Sequence, residues 1–254
     1  MFKHLFKTFA PVAALAVSSL VAGCGDIKLS LGDEEGVRLA DLDMTGAEPT
    51  SLVLAGPDDV VVTRGDALAI TVEGDDEAAD AMRFALEDDT LAIAREDGIR
   101  NVSGKAIVRV TMPSLRAITL AGSGTVAAEA MAEEAEVTIA GTGRVDVTGI
   151  EAQDLEVTIA GSGTFASAGS VSNLDLNVMG SGSARLDDLK VDRADVNIMG
   201  SGDGSFASDG RVEANIMGSG EVTVLGRASC EVTAMGSGKL KCRDTAAEPE
   251  QAAE

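Results

Sequence analysis

The chain has no tryptophan and no tyrosine, and only 6 phenylalanines among 254 residues. Large rings therefore do not build its core, and apolar packing has to come from valine, isoleucine, leucine and alanine. Histidine is nearly absent too, with His4 the single one. It lies in an N-terminal stretch that reads as a removable leader, so the mature chain is expected to have no histidine to activate a serine nucleophile. Basic residues are scarce: 20 against 42 acidic, a formal net charge of −22. Such an acidic surface argues against nucleic acid or anionic lipid as partner. It fits a soluble, non-aggregating exterior better than a dedicated cation site.

The apolar stretch Phe9 to Ala22 is too short to span a bilayer comfortably. With Lys3 and Lys7 ahead of it, it reads as a secretion signal. It ends Leu20-Val21-Ala22-Gly23-Cys24, which resembles a bacterial lipobox. The resemblance implies removal of residues 1–23, acylation of Cys24 and a membrane held through a lipid anchor. Loss of Lys3 and Lys7 takes the formal charge from −22 to −24. Gly25 after Cys24 leans towards the outer membrane by the sorting rule for such lipoproteins. Residues 24–49, polar and acidic, read as a flexible tether.

What is abundant is glycine, and it is periodic. Gly-Ser-Gly or Gly-Thr-Gly occurs seven times, at intervals of 18 to 20 residues. The first glycines are Gly122, Gly141, Gly161, Gly180, Gly200, Gly218 and Gly236, and the second ones Gly124, Gly143, Gly163, Gly182, Gly202, Gly220 and Gly238. A fixed period of this size marks a repeat architecture. Apolar residues stand two and four places before each first glycine, for example Val137 and Ile139, or Val196 and Ile198. Polar residues alternate with them, and the alternation resumes after the corner. That is strand, tight turn, strand, with all fourteen glycines read as structural turn residues that supply the corner conformation. Like residues recur at like positions, as in Asn177, Asn197 and Asn215, or Met179, Met199, Met217 and Met235. Ladders of this kind favour a parallel solenoid over a meander of hairpins. A coil cannot bury its apolar face alone, so stability comes from its neighbours.

The solenoid domain is expected to span residues 50–243, with 51–116 as irregular coils. Within them Asp75 to Asp89 reads as a short helix, an insertion or cap. Leu52 and Leu54 before Ala55-Gly56 echo the later corners. At the far end Lys239, Lys241 and Arg243 alternate with Leu240 and Cys242, and an outward basic row resists edge-to-edge pairing. Residues 244–254 are expected to be a disordered tail. Cys230 and Cys242 stand six before and six after Gly236, both at inward register. Export permits a disulfide between them, against the alternative of two buried thiols.

The segments Val60-Val61-Val62, Leu91-Ala92-Ile93, Val108 to Leu115 and Ile118 to Gly124, with the coils that follow, resemble a family of exported bacterial proteins. These carry the GIN domain, described as an auto-transporter adhesin head. The resemblance covers about residues 50–242. It implies an all-β, right-handed parallel β-helix of 18–20 residues per coil, and it brings no catalytic or ligand-binding residues with it.

The candidate sites are weighed on chemistry. Ser123, Thr142, Ser162, Ser181, Ser201, Ser219 and Ser237 form a hydroxyl row suited to a tight turn, with glycan binding as the functional alternative. The Met179 to Met235 row suits packing or a contact stripe, with Cu(I) ligation as the lesser reading. Asp146, Asp187, Asp188, Asp192, Asp195, Asp203 and Asp209 do not recur at one register, whereas glycosidase chemistry needs two carboxylates at a defined separation. The glycine motif is neither a dinucleotide fingerprint nor a P-loop. No cofactor, metal or catalytic residue is expected. The expected function is a non-catalytic, envelope-anchored binding or structural module facing the periplasm or cell surface, with a glycan or envelope protein as partner. The alternatives are a polysaccharide lyase or hydrolase on the same fold, and a self-associating scaffold joined through the Met and Ala stripe.

Overall fold

The computed structural model describes residues 30–31, 34–96 and 104–244. The expected leader, Cys24 and residues 245–254 of the expected tail lie outside them. The fold is a parallel β-solenoid of about seven turns with one short helix. Gly56, Gly122, Gly141, Gly161, Gly180, Gly200, Gly218 and Gly236 pair in one continuous column. The strand before each glycine stacks on its counterpart in the next coil, and so does the strand after it. Inward residues are sealed from water: Val137, Ile139, Val157, Ile159, Phe165 and Phe206 are fully buried. Each such side chain contributes about 1.5–3 kcal/mol over its exposed state.

The two glycines of a corner are required for different reasons. Gly161 has φ +123°, and a Cβ there would meet the carbonyl oxygen of Gly141 at 2.5 Å. Gly163 lacks a positive φ, but a Cβ would strike Cγ2 of Ile139 at 2.5 Å. The same holds at the later corners. Gly182, Gly202 and Gly220 have no left-handed φ either, and a Cβ would strike Ile159 Cγ2 at 2.4 Å, Val178 Cγ1 at 2.5 Å and Ile198 Cγ2 at 2.8 Å respectively. The expectation that every corner glycine serves the turn conformation is therefore corrected for the second ones, Gly124, Gly143, Gly163, Gly182, Gly202, Gly220 and Gly238, which are needed for space. The first glycine lets one corner nest on the next; the second clears an inward side chain of the preceding coil and, at Gly124 and Gly220, a backbone oxygen that stands closer still, Asp58 O at 2.2 Å and Gly202 O at 2.4 Å. Backbone hydrogen bonds complete the nesting: Ser162 N donates to Gly141 O at 2.9 Å, and Thr164 N to Gly143 O at 3.0 Å. Ser183 N reaches Gly163 O at 2.9 Å, Asp203 N reaches Gly182 O at 3.1 Å and Lys239 N reaches Gly220 O at 3.0 Å.

The interval between corners varies because slack is taken up elsewhere in the coil. Between Arg144–Gly161 and Thr164–Gly180 the register shifts between Val147 and Ile150. In the next pair it shifts between Ala166 and Ala168, and then between Leu186 and Lys190. These irregularities behave as β-bulges. They sit away from the glycine corner, which keeps its register.

The start of the solenoid does not follow chain order. Ser51–Gly56 lies between Thr90–Arg95 on one side and Ala117–Gly122 on the other. Asp59–Arg64 likewise lies between Ala106–Met112 and Thr125–Ala130. The first coil in sequence is therefore an inner coil in space. The chain leaves it, builds the end, and returns past it. Ala69–Gly74 and Met82–Glu87 add antiparallel to the outermost strands, with the helix Asp76–Asp80 between them. Asp75 caps that helix by accepting from Ala78 N at 3.0 Å.

Two further expectations change here. The helix read over Asp75 to Asp89 ends at Asp80, and Met82–Glu87 is a strand in a hairpin with Thr90–Arg95. Met82, Phe84 and Leu86 alternate along it, and Phe84 is buried at 1% exposure. The period is two, not the helical one. Of the segment expected as a tether, residues 36–49 lie against the domain: Val37 bridges Phe84, and Leu39, Leu42 and Met44 pack on the core.

One buried ion pair stands where the coil order crosses. Asp58 occupies the place that later corners give to their second glycine, and it is fully buried. Arg95, from the neighbouring outer coil, donates Nε to Asp58 Oδ2 at 2.9 Å and Nη2 to Oδ1. Ala106 N adds a bond to Asp58 Oδ1 at 2.8 Å, and Arg95 Nη2 reaches Gly104 O at 2.9 Å. The pair ties the corner of the inner coil to both strands of the outer one. Breaking a buried pair by removing one partner leaves a charge uncompensated.

This packing is open to three stability tests. Gly161→Ala should lose about 2 kcal/mol or more, from the strained φ and the backbone clash. Ser162→Ala at the exposed middle of the same corner should stay within about 0.5 kcal/mol of wild type. Asp58→Ala should cost about 3–5 kcal/mol. Urea denaturation midpoints check all three; equal values for Gly161→Ala and Ser162→Ala would refute the nesting account.

Candidate functional site

The strands leading into the corners form one lateral sheet, and alternate residues on it point outward. In-register pairing turns each outward position into a column. Next to the corner stand Ala55, Ala121, Ala140 and Ala160, followed by Met179, Met199, Met217 and Met235. The methionines are 40%, 46%, 49% and 69% exposed, so the stripe is open to a partner and the exposure grows towards one end. A row of exposed large apolar side chains on a soluble face is unusual.

Two residues further from the corner, the column reads Thr119, Thr138, Thr158, Asn177, Asn197, Asn215 and Thr233. The asparagines form a hydrogen-bonded ladder. Asn215 Nδ2 donates to Asn197 Oδ1 at 3.2 Å, and Asn197 Nδ2 to Asn177 Oδ1 at 3.2 Å. Asn177 Nδ2 closes the row on Asp175 Oδ1 at 2.8 Å. Stacked amides of this kind are a stabilising feature of in-register strands.

A third column is acidic: Glu136, Glu156, Asp175, Asp195, Glu213 and Glu231. Carboxylates therefore recur at one register, five places before the glycine, which corrects the expectation of scattered acids. The aspartates compared from sequence lay mostly beyond and between the corners. Only Asp195 belongs to this row, and the glutamates around it were the missing signal. Like charges one rung apart repel. Glu156, in the middle, is held above the ordinary carboxyl range by burial first, then by Glu136 and Asp175. Towards the far end the repulsion is relieved by Arg211, whose Nε donates to Glu213 Oε1 at 2.6 Å and whose Nη2 stands 3.6 Å from Glu231 Oε2.

The other sequence-marked residues fall as follows. The first glycines line the corner column, and Ser123, Thr142, Ser162, Ser181, Ser201, Ser219 and Ser237 project from it, exposed. The second glycines Gly182, Gly202 and Gly220 are buried against inward side chains, so they offer no surface to a ligand. Asp187 and Asp203 do not join the acidic row: Asp187 Oδ2 accepts from Ser205 Oγ at 2.9 Å, and Asp203 Oδ1 from Glu221 N at 3.2 Å. Asp146 pairs with Arg144 in the same strand at 2.5 Å. Cys230 and Cys242 are joined in the structure, with Cα atoms 6.8 Å apart across the interior of the last coil.

The main concave features among the described residues are one small cavity and one wide, open depression of about 590 Å³. A cavity of about 70 Å³ lies under Met112, Pro113, Leu115 and Met131. A shallow polar depression on another flank is lined by Glu133, Glu151, Gln153, Ser170, Ser172 and Asn173, and no basic side chain lines it. Among the described residues no group of three or more His, Cys, Asp or Glu is placed to hold a metal ion. No helix among them is long and apolar enough to cross a membrane.

Residues 48–228 match the protein family described as "Putative auto-transporter adhesin, head GIN domain". Among solved structures the chain is similar to a "putative adhesin" from Bacteroides fragilis NCTC 9343, at 20% identity. That match covers 77% of this chain and 93% of that one, with a TM-score of 0.70. It is also similar to a "putative lipid binding protein" from Parabacteroides distasonis ATCC 8503, at 22% identity over 78% of this chain and 94% of that one, TM-score 0.64. A "putative adhesin" from Parabacteroides merdae ATCC 43184 shares 15% identity over 87% and 95%, TM-score 0.59. At such identities the likeness is one of fold. No curated protein matches the sequence.

The acidic column yields a pH-dependent test. A carboxyl whose folded pKa lies above its unfolded value binds its proton more tightly in the native state. It favours folding below the unfolded pKa and loses that contribution as pH rises through the folded one. Glu156→Gln should therefore stabilise the chain at pH 7 by about 0.5 kcal/mol, the scale of one exposed cross-strand pair. The gain should vanish below about pH 4, where the glutamate is protonated in both states. Denaturation midpoints at the two pH values decide it, and an equal gain at both would assign the effect to packing.

Proposed function

The chain belongs to the GIN head-domain family, and from that premise we propose that it is a non-catalytic binding module of the cell envelope whose contact surface is the three-column lateral face. The observation that carries the reading is the composition of that face. An exposed methionine stripe, an amide ladder and a carboxylate row run side by side, each repeating once per coil.

Such a face suits a long polymeric ligand better than a small molecule. One rung recurs about every 4.8 Å along the axis, so each coil offers the same three contacts to successive units of a chain. Methionine packs against C–H surface and adapts its shape to it. Asparagine and aspartate exchange hydrogen bonds with hydroxyls. The acidic row excludes polyanions by repulsion. The ligand we propose is a neutral or basic envelope or host polysaccharide. Individually weak contacts add along the row, as in other repeat surfaces with extended binding faces.

Anchoring belongs to the same proposal. A lipid on Cys24 would place the solenoid at the outer membrane, and residues 36–49, packed on the domain, would bring its closed end nearest the anchor. The lateral face then projects along the rod away from the bilayer.

The test is binding to a panel of neutral, basic and acidic polysaccharides, with the products analysed for cleavage. We expect binding to neutral or basic chains without cleavage. Met199→Glu with Met217→Glu should weaken it by at least about tenfold, or 1.4 kcal/mol. These side chains are exposed, so the fold should persist. Shortened products would favour the carbohydrate-active enzyme instead, and unchanged binding by the double variant would move the site off this face.

A further inference from the structure

The two ends of the solenoid differ, and the difference points to a second copy of this chain. One end is closed by antiparallel strands Ala69–Gly74 and Met82–Glu87 and by the helix between them. At the other, Ser229–Gly236 and Lys239–Arg243 each pair on one side only among the described residues, with Asp203–Gly218 and Glu221–Leu225 respectively. The last coil is built like the others, but no described residue covers it. Val232 stands in the inward column with Ala214 and Val196, which are 2% and 1% exposed, yet Val232 is 48% exposed. Ala234 is exposed as well, and Leu240 and Cys230 are only partly buried. A cross-section of core and two strand edges thus face outward together, and a naked edge is a template for pairing.

We propose that this end stacks on the same end of a second copy, about a two-fold axis through the Gly236-Ser237-Gly238 corner. The chain runs into that corner along Ser229–Gly236 and away from it along Lys239–Arg243. A two-fold through the corner lays each strand antiparallel on the other strand of the second copy. Residue numbers then pair symmetrically about Ser237. Glu231 falls opposite Arg243, Val232 opposite Cys242, Thr233 opposite Lys241, and Ala234 opposite Leu240. Apolar inward residues meet apolar ones, and the acid of one strand meets the base of the other, twice by symmetry.

The charges also choose this pairing over its rivals. Lys239–Arg243 set against itself would bring two basic rows together, which is destabilising. The row that blocks self-pairing of that strand therefore selects the other strand as its mate. Within one chain Lys241 already donates to Glu221 at 2.6 Å, and Arg211 prefers Glu213 to the 3.6 Å approach to Glu231. Glu231 is thus the less engaged of the two carboxylates near Arg211. Residues 245–254 contain no valine, leucine, isoleucine, methionine or aromatic ring, so their composition offers little apolar surface to set against the bare core, whereas a second copy offers a matching one. A two-fold contact between like ends uses up both surfaces, so this pairing stops at two copies.

The pairing is tested by sedimentation equilibrium of the full chain over a range of concentrations. A monomer–dimer equilibrium with no larger species is expected. Val232→Lys should raise the dimer dissociation constant by at least about tenfold. Its site is already open in the single chain, so circular dichroism should show the fold retained. Glu231→Arg and Arg243→Glu should each weaken the dimer, and the two together should restore it. A wild-type chain that stays monomeric, larger assemblies, or a dimer indifferent to Val232→Lys would overturn the proposal. So would deletion of residues 245–254 turning a monomer into a dimer, because that segment would then be what covers the end. Glu231, Thr233 and Met235 belong to both surfaces, but Met199 and Met217 sit on earlier coils outside the paired strands, so the methionine variants and Val232→Lys report on polysaccharide binding and on pairing separately.

Discussion

The backbone hydrogen bonds that run from coil to coil along the axis are the interaction on which the rest of this molecule depends. A strand inside the stack satisfies its N–H and C=O groups on the coils above and below, so successive coils have to keep register. At the corners that requirement brings carbonyl oxygens within 2.1–2.6 Å of where the next corner's Cβ would stand. Glycine is the only residue that permits it. Between corners the same register lines inward side chains into a continuous core and outward ones into columns. Length differences between coils cannot be absorbed where register is tight. They are taken up as bulges away from the glycines.

Register also explains why the surface has its chemistry in stripes. A solenoid does not mix outward side chains; it stacks each with its own kind when the repeats are similar. For asparagine the stacking is favourable, because each amide both donates and accepts. For carboxylates it is unfavourable, moderated by exposure to water, by the Asn177 amide on Asp175 and by the guanidinium of Arg211. For methionine it makes an apolar strip that the fold itself does not bury. The amide column contributes to stability, whereas the acidic and methionine columns weaken or do not aid it. Those two are therefore the informative ones for function.

Much of this is legible in the residues alone. The Gly-Ser-Gly interval and the Val137/Ile139-type alternation read directly as coils, and the asparagine and methionine rows read as ladders. The acidic column is legible in principle, five places before each glycine, but a comparison of aspartates alone passes over Glu136, Glu156, Glu213 and Glu231. The reason for the second glycine of each corner is not legible. Gly182 and Gly202 look like turn residues, yet each makes room for a side chain of the preceding coil, a little more than one coil of sequence away, Ile159 and Val178. Asp58 is not legible as the partner of Arg95 either. Thirty-seven residues separate them, and nothing local marks Asp58 except that it stands where the other corners have glycine. The strand Met82–Glu87 escapes notice because the helix-prone alanines just before it mask its own alternation.

The sequence by itself determined the repeat, its period, the inward and outward faces of every coil and the place of each corner. All of these follow from spacing along the chain, which a period-two strand and a glycine turn translate directly into geometry. Tertiary structure alone decided which coil is neighbour to which. Coil 51–64 sits inside the stack rather than at its start, because the strands it presents can pair on both edges and nothing in local spacing says which strands will take them. The same holds for the ends. Whether a coil is covered or bare depends on what packs beyond it, and that is why Val232, at the same inward position as the buried Val196 and Ala214, stands exposed.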